Sequence, residues 1–172
     1  MCEGHIDRIN GEPQYHKGVA RPYKPANRKL LNSAVAKFNE SAVLLNNWPD
    51  PYLGLARLYI FDLDDLDKGE AALNKASDYG RPKGKRETAM LADGYLKRGD
   101  RFWSISQARG NSQDEEHNSL MKADQDYKKA QELYDGVRLF GDVERNRSLA
   151  IAGQERVAAR IKALQPNPFG LP

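Results

Sequence analysis

Two short triplets recur along this chain, and their spacing limits what it can fold into. Ala34, Phe38 and Ser41 return 35 positions later as Gly69, Leu73 and Ala76, and again 54 positions on as Ala123, Tyr127 and Ala130. Between them, Leu55, Ala56 and Tyr59 return 36 positions later as Leu91, Ala92 and Tyr95. On a helix, a small residue lets a neighbour approach closely, a large one four positions on fills the groove, and a second small residue admits the next helix. Recurrence at this distance is the mark of stacked helical units.

The apolar period agrees with that reading. Leu31, Ala34, Val35, Phe38, Ala42 and Leu45 form one helical stripe within residues 28–47. Further helical patterns run over 50–61, with Pro51 in the first turn, and over 66–80, stopped by Gly80 and Pro82. Then come 85–110, 113–134 and 142–164, the last closed by Pro166 and Pro168. Val, Ile and Thr are few, which disfavours sheets. The expectation is an all-α fold of six helices over 28–164, with an extended arm over 1–27 and a tail over 165–172. Residues 1–27 scatter Gly and Pro without any helical or strand period.

This spacing resembles the tetratricopeptide repeat, a 34-residue helix–turn–helix unit. Its first helix carries Leu, a small residue and Tyr, and its second carries small-x3-aromatic-x2-small. The resemblance covers residues 31–135 and reaches toward Leu164. The proline that ends each unit of that family is matched only loosely, at Pro49 and Pro82. Between Tyr95 and Ala123 lie 27 residues where the family pattern has about 9, and the excess reads as a lengthened helical hairpin with its tip near Gly110–Gln113.

The resemblance implies a right-handed α-solenoid that binds a partner peptide or protein on its concave face, without chemistry of its own. The residues it would place on that face are Leu53, Arg57, Asp93, Leu96 and Lys97, with Trp103 as an apolar anchor on the hairpin. Leu53, Arg57, Ala89 and Asp93 are not the Lys and Asn set with which some relatives clamp a C-terminal carboxylate. Phe102 and Trp103 are neighbours, and adjacent helical positions point about 100° apart. One is therefore expected to pack on Leu120 or Met121.

Nothing in the chain assembles a catalytic or metal motif. The four aspartates of FDLDDLDKG (61–69) look like a calcium loop, but neither frame fits. Counted from Asp62 the glycine position is Asp67, and counted from Asp64 the bidentate position is Lys75. A helix–helix turn explains them better, with Asp64 or Asp65 as cap, one extra residue in the turn, and Gly69 as the small residue of the second helix. His5, His16 and His117 stand beside no nucleophile, so no catalytic residue, cofactor or metal is expected.

The net charge of +3 comes wholly from residues 1–30, which hold six Lys/Arg against three Asp/Glu, while 31–172 hold 21 of each. No field that would gather nucleic acid is expected of the body. Arg81, Lys83, Lys85 and Arg86 read as a solvated loop, or alternatively as a dock for an acidic partner or a phosphate. Cys2 is the only cysteine, so no internal disulfide can form. Directly behind Met1, Cys2 is read either as the lipid-bearing cysteine of a mature bacterial lipoprotein, which would tether the chain to a periplasmic membrane, or as an accident of sequence, which leaves the compartment open, the cytoplasm included. An accessory domain of a larger enzyme or membrane complex is the alternative to a free scaffold.

Overall fold

The computed structural model describes residues 3–12, 26–138 and 141–165. Among these there is no strand, and helices take up nearly everything. They run α1 (Glu3–Gly11), α2 (Arg28–Leu44), α3 (Asp50–Arg57), α4 (Leu66–Asp78), α5 (Lys85–Ser106), α6 (Gln113–Asp135) and α7 (Val143–Leu164). A π-helical turn, Leu58–Asp62, continues α3. The six helices expected from the apolar period are α2 to α7. Helix α1 corrects the expectation of an arm without helix over residues 1–27. Cys2, His16 and the tail from Pro166 lie outside the described residues.

The helices divide into two compact units, 1–84 and 85–172. In the first, α1 packs on α2, α2 on α3, and α3 on α4. Its core is Leu31, Ala34 and Phe38 of α2 with Leu55, Ala56, Leu58, Ile60, Leu73 and Ala76. Phe38 fits because its neighbours have no side chain. A Cβ built on Gly54 would come within 2.5 Å of the Phe38 ring, and one on Gly4 within 3.3 Å.

The acidic turn works as a helix connection. The Asp65 side chain accepts from the Lys68 N–H at 3.2 Å and so caps α4, and Asp67 lies in the first turn. Asp64 takes a left-handed φ of 58°, which aspartate tolerates. The π-helical turn before it is closed by the Leu63 N–H donating to the Leu58 carbonyl at 3.0 Å.

The second unit packs α5, α6 and α7 against one another. Most of its buried positions are spaced three and four apart: Ala89, Ala92, Leu96 and Gly99 on α5; Leu120, Ala123, Tyr127, Ala130 and Tyr134 on α6; Val143, Ala150, Gly153 and Val157 on α7, with Leu91, Gly94, Ser106 and Asp126 buried outside that spacing. The three–four spacing is a heptad seam, which twists helices around each other with side chains interdigitated. The helices also differ in charge. By their sequences α6 has seven acidic and three basic residues, while α5 has five basic and three acidic and α7 five basic and two acidic. Arg98 of α5 grips Asp126 at 2.7 and 2.8 Å, and Arg147 of α7 meets Asp135 at 2.7 Å. The hairpin tip falls where the sequence places it. Gly110 has φ 91°, and Ser112 and Glu115 form a reciprocal capping box at the start of α6.

Candidate functional site

Helix α2 ends because the chain after it cannot stay helical. Asn47 adopts φ 64°, and Pro49 then blocks continuation. The Trp48 N–H closes the turn on the Leu45 carbonyl at 2.9 Å, and its indole N–H donates to Asp50 at 3.1 Å. This turn holds Val43, Leu44, Leu45 and Trp48 at 79%, 75%, 51% and 55% exposure. Covering a side chain of this kind contributes about 1.5–3 kcal/mol, so the chain forgoes several kcal/mol here. Single exposed apolar residues are ordinary, but Leu45 and Trp48 are exposed side by side on the same cleft.

Beside them lies a cleft of about 210 Å³ lined by His5, Phe38, Ser41, Leu45, Trp48, Asp50 and Pro51. His5 stands edge-on to Phe38, with ring centroids 4.9 Å apart. Burial, then the nearby Arg8 and Arg57 cations, lower the His5 pKa. Helix α1 forms one wall. Its Asp7 accepts from Ser33 at 2.7 Å and pairs with Lys37 at 2.9 Å, which lowers the Asp7 pKa. Its Arg8 sits 2.7 Å from Asp62, whose side chain is only 6% exposed. What the cleft offers is an apolar, aromatic wall with an occupied indole donor: a place to seat a side chain. Among the described residues no group of three or more His, Cys, Asp or Glu is placed to hold a metal ion.

The residues expected on a concave face fare differently. Leu53 and Arg57 are half-buried on α3, in the first unit. In the second, Asp93 and Leu96 do not project. Asp93 accepts from the Tyr134 hydroxyl at 2.7 Å and from Asn146 at 2.9 Å, and Leu96 is in the core at 9% exposure. The heptad seam is the reason, since Leu96 is a seam position and Asp93 borders one. Lys97 is exposed. Trp103 and Phe102 both pack partly buried on the core, Trp103 beneath the Arg156 guanidinium at 5.3 Å and Phe102 beneath Lys122 at 5.6 Å. Arg81, Lys83, Lys85 and Arg86 are exposed, with Lys83 donating to Asn74 at 2.7 Å.

Sequence reasoning put Leu45 on the α2 stripe but passed over Leu44 and Trp48. The signal was present in VLLNNWP, an apolar run carried past the last position a neighbouring helix would cover and ended by Asn, Asn and Pro. A second cleft, of about 250 Å³, is lined by Gln113, His117, Ile161 and Leu164. There the Gln113 amide is already spent on the Leu164 carbonyl at 2.9 Å. No described helix is long and apolar enough to cross a membrane. Compared with known proteins, the chain matches no protein-family profile, no curated protein and no solved structure.

Proposed function

We propose that the chain is a non-enzymatic protein–protein interaction module, a scaffold or adaptor of the helical-repeat kind. The observation that carries this is the exposed apolar surface of Leu45 and Trp48 opening onto the cleft beside His5 and Phe38. Tryptophan at the rim of a desolvatable pocket is the residue type that most often dominates binding energy at protein interfaces. The kinship to tetratricopeptide repeats, and the right-handed solenoid that goes with it, belong to this proposal. The burial of Ala34, Phe38, Leu73, Ala76, Ala123, Tyr127 and Ala130 supports it. The inward turn of Asp93 and Leu96 and the exposure of Leu45 and Trp48 support a docking surface at the end of α2.

The test is bait capture from cells that express the chain, comparing the parent with Leu45→Glu/Trp48→Ala and with Lys97→Glu. Both sites are largely exposed, so melting should shift by no more than about 0.5 kcal/mol in stability. Loss of the captured protein in the double variant, with retention in Lys97→Glu, is expected. Equal capture by parent and double variant overturns the assignment.

A further inference from the structure

Helix α1 meets α2 with its glycines and leaves its isoleucines largely exposed. Its buried residues are Gly4 and Gly11, while Ile6 and Ile9 are 46% and 55% exposed. It lays bare backbone on α2: a Cβ on Gly11 would come within 2.9 Å of Leu31, and one on Gly4 within 3.3 Å of Phe38. Charges hold it instead, Asp7 on Lys37 and Arg8 on Asp62. Nine residues make a helix that is marginal without such support. The Asn27 N–H donates to the Gly11 carbonyl at 2.8 Å, so the facing ends of α1 and α2 touch. Yet 16 residues connect them, where about 2–8 normally join neighbouring helices.

The surface also outruns α1. At about 1.5 Å per residue, α1 spans roughly 14 Å and the 17-residue α2 roughly 26 Å. The α2 stripe beneath α1 (Leu31, Ala34, Phe38) continues through Ser41 to Leu45, seven positions on from Phe38, and the cleft opens beside His5 near the α1 N-terminus. We propose that α1 is an exchangeable occupant of a helix-binding groove on α2, and that the groove takes a longer amphipathic helix of a partner protein. The charges of the groove define that helix. It carries small residues seven apart, as Gly4 and Gly11 are, and between them an acid for Lys37 and a base for Asp62, as Asp7 and Arg8 are. One or two turns before the first small residue, an apolar side chain fills the cleft at Leu45 and Trp48. This inference rests on the docking reading above and adds the partner's form and the displacement of α1.

The probe is a fluorescent synthetic peptide, residues 3–12 of this chain prolonged at the N-terminus by two turns of Ala and Leu. Its binding is measured on the full chain, on Arg8→Glu and Asp7→Lys, which loosen α1, and on Arg8→Glu/Leu45→Glu. Helix content and melting identify whichever loosened variant keeps the remaining fold. Binding at least about tenfold tighter to the loosened variant than to the parent is expected, since a self-occupied groove lowers apparent affinity by its free fraction, with loss of binding when Leu45→Glu is added. Unchanged affinity on loosening overturns the displacement of α1 while leaving the docking patch standing. Equal binding by the Leu45→Glu chain overturns the cleft as the seat of the helix, and no binding to any of the chains overturns the groove.

Discussion

Tyr127 shows how much of this molecule turns on single residues without side chains. Its ring lies between Gly99 of α5 and Gly153 of α7, where an added Cβ would come within 2.9 and 2.6 Å of ring atoms. Its hydroxyl donates to Asp100 at 2.7 Å, so the ring is held at its tip as well as on both faces. Gly153→Ala therefore meets a ring that cannot retreat. Overpacking of this kind costs about 1–3 kcal/mol, which calorimetry should read as a fall of several degrees in the melting of the second unit. A melting point equal to the parent's would mean the contact is looser than the structure has it. The small-aromatic-small triplet around Tyr127 was legible in the sequence. The two glycines were not, because a glycine's use as a landing surface depends on which helix arrives opposite.

At the scale of elements, α2 to α7 were legible because each repeats its apolar residues at helical spacing and all but α3 are followed by Gly, Asn or Pro. Helix α1 was not. EGHIDRING has two glycines and puts its isoleucines toward solvent, so neither propensity nor period announces it, and contact with α2 decides it. The orientation of α5 was missed for a related reason: the small residues that suggested a repeat also satisfy a heptad, and only the heptad turns Leu96 inward. The α5–α6–α7 contact is pinned by Tyr134 and Asn146 converging on Asp93. Burial raises the Asp93 pKa, and the nearby Asp142 adds to this against the two hydrogen bonds. A raised carboxyl binds its proton more tightly when folded, so its contribution to stability is present at low pH and lost as pH rises through the folded value. Asn at this position can still accept from Tyr134 without carrying the buried charge. Asp93→Asn should therefore gain most over the parent near pH 7, and the gap in melting temperature should close as pH falls toward about 4. A gap that widens on acidification would reverse the assigned cause.

Across the whole molecule, each of the two units has its own core, and the residues once expected to share one binding face are split between them. A sequence repeat reports which positions are small or large, but not which side of a helix its neighbours leave open. The repeat therefore made the all-helical class legible, but not that Leu96 is buried and that Asp93 is bonded to Tyr134 and Asn146. The account makes the end of α2 the place where another protein sits. The most direct measurement is site-specific photo-crosslinking in the cells that express the chain, with a benzophenone side chain at position 45 in one variant and at position 97 in another. The account predicts one discrete protein adduct from position 45 and none from position 97. Adducts from position 97 with none from position 45, or the same adducts from both, would contradict it.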